Sequence, residues 1–420
     1  MQSTEHIVIG AGISGLSAAR LLHEAGKDVK ILEKASRPGG LIKCDIIDGH
    51  LFHRVGGHVF NTKIEKVANW FWKHFNKDDE FLKAGRNAGI FLNEIFLSYP
   101  IENSLYKFDE QTIRKIINEL LALNKNQKKD FNNFEDFLKG NFGETLYNIY
   151  FKPYNEKIWK FDLSKVSLPW LDGKLPMPDV AEMIISNILR KEENNMVHSS
   201  FFYPVKNGSQ FIADRLSDNI NINYNIEADS IEYKNGQWLI NSEYLSDKII
   251  YTGDIRKLYS VLKNIPDSIK QLTKDVTGLR SNGTSNLLCT TDETDYSWLY
   301  LPSSDIPAHR IIYTGNFSKN NIPENDRHSC TVEFSGATSY DDMKNAIKHL
   351  PGNLKILNHN YEPNSYVIQQ HGDRKKINAL KAELHKIDFY LAGRFAEWEY
   401  FNMDKAIESS MATVSKIINQ

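Results

Sequence analysis

The sequence predicts an α/β fold in which a parallel-sheet domain is split along the chain around an inserted helical lobe and an antiparallel-sheet lobe. Three observations carry this. A strand, glycine-rich turn, helix and second strand open the chain between His6 and Glu33. A helical, aromatic-rich stretch runs from Lys63 to about residue 195, with Trp70, Phe71, Trp72 and Phe75, then Phe134, Phe137 and Phe142. Short apolar strands return late, as Lys248-Ile-Ile-Tyr-Thr-Gly253 and Asp388-Phe-Tyr-Leu-Ala-Gly393. An opening unit whose last strand and helix come back at the far end implies a discontinuous domain.

The opening unit is the most specific part. His6-Ile-Val-Ile9 is an apolar run, followed directly by Gly10-Ala11-Gly12-Ile13-Ser14-Gly15. Gly10 permits the tight turn, Gly12 lets backbone approach a pyrophosphate, and Gly15 permits close helix–strand packing. Phosphates would sit on the free N–H groups of the helix N-terminus, at the positive end of its dipole. The second strand, Val29-Lys-Ile-Leu32, ends on Glu33, placed to accept hydrogen bonds from ribose hydroxyls. This is the Rossmann-type dinucleotide unit. A second doublet, Arg37-Pro-Gly39-Gly40, follows the acid. Bare backbone at that point is typical of the FAD-binding branch, so FAD is expected rather than NAD. Lys34, Arg37 and Leu41 join Ala11, Ile13 and Ser14 as cofactor-contact candidates.

Further along, Gly89-Ile-Phe-Leu-Asn-Glu-Ile-Phe-Leu-Ser-Tyr-Pro100 reads as a hairpin with an Asn-Glu turn. The aromatic stripes at helical spacing read as core. Strands are expected at Asn219–Tyr224, Ala228–Tyr233 and Trp238–Asn241, and Gly278 to Phe334 holds alternating segments such as Ser297–Leu301 and Arg310–Tyr313. Residues 1–65, 196–265 and 385–420 are assigned to the FAD-binding domain, 66–195 to the helical lobe and 266–384 to the antiparallel-sheet lobe. At the end, Gly393-Arg394 closes a strand, and Asn402-Met403-Asp404 opens the last helix with Asp404 as its N-cap. Arg394 is expected to meet the FAD pyrophosphate or the flavin edge.

Composition sets bounds. Of 420 residues, 41% are hydrophobic and 25% charged, ordinary for a globular chain that buries a large core. A formal net charge of −2 gives no reason to expect nucleic acid, and the run Lys125–Lys129 reads as a solvated helix end. Three cysteines, Cys44, Cys289 and Cys330, lack metal-type spacing, so neither a disulfide framework nor a metal site is expected. No apolar run reaches membrane-spanning length, and a cytoplasmic location is expected.

Several separated motifs then agree. Val55-Gly-Gly57-His58-Val-Phe60 and Tyr150-Phe-Lys-Pro-Tyr154-Asn-Glu-Lys-Ile-Trp159 resemble the flavin-facing loop and the nucleotide-binding helix of the UDP-galactopyranose mutase family, flavoproteins related in fold to amine oxidases. Ile250-Tyr-Thr-Gly253 is similar to the bacterial branch. His309-Arg310 with Asn316-Phe-Ser, and Gly393-Arg-Phe-Ala-Glu-Trp-Glu-Tyr400, look more like the eukaryotic one. Tyr203-Pro204 with Gly208 is shared more widely among FAD amine-oxidase relatives.

The resemblance implies a reaction without net redox change. Reduced flavin N5 attacks the anomeric carbon of a nucleotide sugar, the nucleoside diphosphate departs, and the sugar recloses on another hydroxyl, so that a UDP-hexopyranose becomes the furanose. That is covalent catalysis by the cofactor, in service of surface polysaccharide synthesis. It requires a reductant, NAD(P)H or a redox partner, and leaves monomer and homo-oligomer both open.

Roles carry over residue by residue. His58 would contact the flavin, and Arg310 would clamp the diphosphate, because a guanidinium binds phosphate bidentately and keeps its charge. The family's second arginine is missing: an alignment on Leu175–Pro178 places Pro178 there, one on Trp170–Lys174 places Lys174, which supplies charge without the planar fork. Tyr366 and Tyr400 resemble the diphosphate-binding tyrosines. Tyr154 and Trp159 suit a base-stacking platform and a sugar-facing wall, with Phe151, Tyr99 and Asn103 in the same group and Asn207 reaching the sugar. The competing function is an FAD-dependent amine-oxidase-like oxidoreductase, which shares the FAD shell but needs neither Arg310 with Lys174 nor the Tyr154/Trp159 platform. A non-enzymatic FAD-binding protein is a third reading, supported only by the missing arginine.

Overall fold

Strands buried on both faces read as continuous apolar runs, and Gln2–Ile9 ends in one, which seats it at the centre of a parallel sheet. The computed structural model describes residues 1–125, 130–171, 179–190 and 200–419. Across the sheet, Phe389–Leu391, Tyr244–Tyr251, Gln2–Ile9, Val29–Glu33 and Asn221–Tyr224 lie parallel. Ile231–Lys234 and Gln237–Ile240 extend it as an antiparallel meander, with Leu262–Lys263 at the edge. The last strand of the chain therefore returns to the same sheet as the first, separated from it by Tyr244–Tyr251, in line with a discontinuous domain.

Each face of this sheet is covered. Helices Ile13–Glu24, Glu65–His74, Gln210–Ser217 and Met403–Ile418 bury Leu16, Phe71, Ile212 and Ile407 on one side. Helices Asp267–Asp275 and Asp373–His385 bury Ile269 and Leu380 with Trp238 and Phe389 on the other. Full burial of such a side chain contributes about 2 kcal/mol. The aromatic stripe of Glu65–His74 is core as expected: Phe71 stacks on Phe60 at 3.6 Å.

The second sheet has seven strands, in spatial order Lys355–Ile368, Arg280–Thr291, His328–Ser335, Ala308–Ile312, Trp298–Tyr300, Ala88–Leu92 and Ile95–Ser98. Every pairing is antiparallel except Trp298–Tyr300 with Ala88–Leu92. The expected hairpin is present, and Asn93 and Glu94 take φ of 50° and 64°, the left-handed pair a two-residue turn needs. It belongs to this sheet, however, and helices Asp267–Asp275 and Asp373–His385 belong to the parallel one. The lobes are thus interleaved more finely than the ranges 66–195, 266–384 and 385–420 allow. A local pattern identifies a strand or helix but does not say which sheet it joins.

Glu110–Lys125, Phe134–Leu146, Lys152–Trp159 and Val180–Leu189 form the helical lobe, packed through Leu120, Phe134, Leu138, Phe142 and Met183. All three cysteines are buried and free. Among the described residues no helix is long and apolar enough to cross a membrane, and no cluster of potential metal ligands occurs.

Candidate active site

A cavity of about 870 Å³ runs from the carboxyl ends of the parallel strands, past the Val55–Val59 loop, to the inner face of the seven-stranded sheet. Ligands in open parallel sheets bind at such strand ends. One end is built of backbone. A Cβ on Gly15 would lie 1.9 Å from the carbonyl oxygen of Gly10, so helix Ile13–Glu24 meets the turn with no room for any side chain. The second doublet lies directly on the first motif: Gly39 N–H donates to the Ala11 carbonyl at 2.8 Å, and a Cβ on Gly40 would come 3.0 Å from the Gly12 Cα. Two glycine motifs separated in sequence thereby form one bare-backbone cradle. Gly12 is the N-cap of helix Ile13–Glu24 and offers no side-chain cap, which leaves the first-turn N–H groups for an anion.

Gly10, Gly12, Ile13, Ser14, Glu33, Lys34, Gly39, Gly40 and Leu41 all line this end. Ala11 and Gly15 lie just behind it as close-packing positions. Glu33 is fixed by Ala11 N–H at 2.6 Å and Ala35 N–H at 2.9 Å, so its carboxylate reaches the cavity in one orientation. Arg37 is placed differently from expectation: it does not line the cavity, and its guanidinium pairs with Asp45. Gly393, at φ 92°, brings the last strand against Ser14, where a Cβ would stand 2.3 Å from Ser14 Oγ. The final helix starts one residue earlier than its expected cap: Asn402 is the N-cap of Met403–Ile418, and Asp404 lies within the first turn, where its charge suits the dipole. Asn402 and Met403 line the cavity; Asp404 does not. A bare double-glycine cradle, an acid at the second strand end and a helix N-terminus at each side fit a dinucleotide of FAD size.

The other end is built of side chains. Gly57 and His58 lie on the loop between strand His50–His53 and Phe60, and both line the cavity. One carboxylate organises what surrounds them. Glu333, fully buried on strand His328–Ser335, accepts from Gly56 N–H at 2.6 Å, pairs with the Arg310 Nε, and lies 3.5 Å from His309 Nε2. Burial alone would raise its pKa, yet Arg310 and His309 hold the carboxyl far below the usual carboxylate range. Burial likewise disfavours the Arg310 cation, and Glu333 more than offsets this. The same carboxylate therefore fixes both the loop that carries His58 and the arginine that faces the cavity.

Arg310 Nη2 donates to the Tyr366 hydroxyl at 3.2 Å, leaving the phenol proton free to donate onward. Tyr366 stacks on Tyr400 at 5.8 Å, and the Arg394 guanidinium lies 4.2 Å over the Tyr400 ring. Tyr366, Tyr400, Arg310 and Arg394 all line the cavity. The pKa of His58 is pushed down to about 4, first by burial and then by Arg394 and Arg310, so its imidazole is neutral at physiological pH. Behind it, His53 is held to about 3 by burial and by His58. The His53 Nε2 pairs with the Tyr203 hydroxyl at 2.8 Å, and its Nδ1 with Ser209 Oγ at 3.3 Å.

Other expected site residues sit further back. Trp159 packs 6.1 Å from Tyr366 and 6.0 Å from Tyr400, and Tyr154 meets Tyr300 edge-on at 5.5 Å, so both form a layer behind the wall. Tyr99 touches Tyr300 at 5.0 Å. Phe151 packs on Phe142 at 4.3 Å within the helical-lobe core, and Asn103 lies in the turn Ile101–Lys107. Asn207 is exposed at φ 63°, a turn residue outside the cavity. Lys174 and Pro178 lie outside the described residues. Sequence reasoning missed Arg86, Tyr300, Glu333 and His53. Glu333 had a readable signal, an acid inside the apolar run Cys330-Thr-Val-Glu-Phe334. Arg86 had none.

Residues 8–75 match a model for an NAD(P)-binding Rossmann-like domain. Over its whole length the chain is 21% identical to UDP-galactopyranose mutase of Mycoplasma genitalium, covering 96% of that protein. It is also 22% identical, over its whole length and 96% of the relative, to a probable UDP-galactopyranose mutase of Klebsiella pneumoniae. Among solved structures, reduced UDP-galactopyranose mutase shares the fold with a TM-score of 0.87 at 21% identity, covering 99% of this chain and 96% of the other. These similarities span the opening cradle and the distant strands alike, so that the chain is similar over its whole length to UDP-galactopyranose mutases and shares their fold.

Proposed function

We propose that the chain interconverts the pyranose and furanose forms of a UDP-hexose, UDP-galactose or a close relative, with FAD in its reduced form and for surface polysaccharide synthesis. The observation that carries this is the side-chain end of the cavity, where Arg310, Tyr366 and Tyr400 converge beside the His58 loop. When bound, reduced flavin supplies the nucleophile that holds the sugar between its two ring forms. The chain's own residues do the remainder. The glycine cradle and Glu33 hold the dinucleotide, and the His58 loop, fixed through Gly56 by Glu333, sets the flavin edge. His58, uncharged at neutral pH, serves position and polarity rather than proton delivery. Arg310 and the two phenols receive the diphosphate as it leaves, and preorganised donors in a water-poor site stabilise such charge strongly. Trp159 and Tyr154 back that wall and keep it rigid.

The supply of electrons would come from NAD(P)H or a redox partner. The decisive experiment is anaerobic: dithionite-reduced protein is incubated with UDP-galactopyranose, quenched with borohydride, and its flavin fraction weighed by mass spectrometry. A flavin carrying one hexose is expected, together with furanose product. Product formed only with oxidised flavin and oxygen consumption would favour the amine-oxidase-like reading instead.

A further inference from the structure

The Val55–Val59 loop that carries His58 is held at two points of different kind. Gly56 N–H donates to Glu333, a carboxylate that stays ionised and fixed. His58 N–H donates to Nδ1 of His53 at 3.4 Å, and that acceptor is not permanent. A neutral imidazole carries one proton, and the nitrogen that holds it cannot accept. Nδ1 also lies 3.3 Å from Ser209 Oγ. The Ser209 proton is committed, since Oγ donates to the Ile42 carbonyl at 2.7 Å and does not cap its own helix Gln210–Ser217. Ser209 therefore calls for a proton on Nδ1, and His58 calls for a lone pair there. One nitrogen cannot serve both.

The far side of the ring does not settle the conflict. Nε2 lies 2.8 Å from the Tyr203 hydroxyl. That oxygen already accepts from Asn321 Nδ2 at 3.1 Å, and the amide is oriented by its second bond, to the Thr314 carbonyl at 2.8 Å. The phenol proton is thus free to go to Nε2. A Cβ on Gly208 would come 2.8 Å from the same hydroxyl, so the bare position after Tyr203-Pro204 keeps the phenol in reach of the ring. With the proton on Nδ1, donors run from Asn321 through Tyr203 and His53 to Ser209, and the His58 N–H is left over. With the proton on Nε2, the His58 N–H is taken up and the phenol proton is left over instead. Neither donor has another partner among the described residues. Each tautomer strands one donor beside two fully buried rings, so the two forms lie close in free energy. Burial keeps the ring uncharged at neutral pH, and no third state relieves the conflict.

We propose that His53 is a positioning residue of the flavin-facing loop, its tautomer deciding whether the His58 main chain is held or released. His58 lines the cavity and has an Nε2 that is buried without a hydrogen-bond partner, so what fixes its main chain also places that nitrogen. This rests on the reading that the loop meets the flavin, and not on which sugar is turned over. Two variants push the ring in opposite directions while leaving it in place. Ser209→Ala removes the acceptor for a proton on Nδ1 and favours the Nε2–H form. Tyr203→Phe removes the acceptor for a proton on Nε2 and favours the Nδ1–H form. Each loses about one hydrogen bond and should move the tautomer ratio about five- to tenfold. Protein carrying isotope-labelled histidine, with flavin and after its removal, reports the ratio through imidazole nitrogen NMR shifts; the His53 signals are those missing from His53→Gln. Amide hydrogen exchange at His58 should slow in Ser209→Ala and quicken in Tyr203→Phe, and the flavin midpoint potential should move in opposite directions in the two. Both variants are first checked for melting temperature and flavin content. If Tyr203→Phe fails to fold, Ser209→Ala alone must raise both the Nε2–H fraction and the protection of the His58 amide. An unmoved ratio, exchange that changes in one direction in both variants, or a moved ratio with exchange and potential unchanged would each overturn the assignment. Holoprotein that turns over no UDP-galactose would overturn the mutase reading and leave this one standing. A protein that takes up no FAD would overturn both.

Discussion

The two ends of the cavity are built by opposite means. At the end built of backbone, what matters is the absence of side chains at Gly15 and Gly40. At the sugar end the surface is side chains gathered from four distant strands and loops, and what matters is that charges be paired or waiting for a partner. Backbone recognition tolerates no added atom. Side-chain recognition tolerates changes of size but not of charge balance.

The sharpest way to break this contrast is Gly15→Ala. The added carbon would overlap a main-chain oxygen that cannot yield, so a cost above about 3 kcal/mol and loss of flavin are expected, read from visible absorbance and soluble yield. Next comes Arg310→Met. It strands Glu333 as a buried unpaired charge at a cost of about 3–5 kcal/mol, and turnover should fall about a hundredfold or more. Adding Glu333→Gln should restore most of the melting temperature and none of the turnover; recovery of both would mean that Arg310 acts only through Glu333.

A smaller effect concerns pH. His53 is fully buried, and its pKa is lowered to about 3 in the folded state, so the unfolded chain binds its proton first as pH falls. Its contribution to stability is therefore complete above the unfolded value near 6.5 and is lost as pH drops towards 3. His53→Gln should flatten the acid limb of unfolding free energy against pH by about 1.4 kcal/mol per pH unit below pH 6. An unchanged slope would show that folding does not lower the His53 pKa. Smallest of all, Asn207→Gly should leave turnover unchanged and alter stability by only a few tenths of a kcal/mol, since the position is an exposed left-handed turn.

The same contrast explains what was legible in the sequence. Glycines that remove side chains announce themselves at fixed spacing within one strand–turn–helix unit, so Gly10 to Gly40 could be read without any fold. Arg310 was found through a resemblance, and Glu333 stood as an acid in an apolar strand. Arg86 could not be found, because its surroundings, Tyr300 and Trp298, come from more than two hundred residues away. Tyr154 and Trp159 sit on a helix none of whose residues lines the cavity, and helical spacing alone could not tell a wall from the layer behind it. Arg37 read as part of the cofactor motif because its neighbours are, while its own side chain turns to Asp45.

The buried pairing at Glu333 also decides which partner's acidity governs binding. With Glu333 held ionised, His58 and His53 neutral above about pH 4, and arginines permanently charged, the sugar end keeps one charge state from about pH 5 to 9. Any pH dependence of affinity must then belong to the ligand. A nucleotide sugar has no terminal phosphate to ionise, whereas free UDP gains a charge near pH 6, as phosphate monoesters do. Acidification would thus loosen the released nucleotide selectively and leave the grip on the intact sugar nucleotide unaltered.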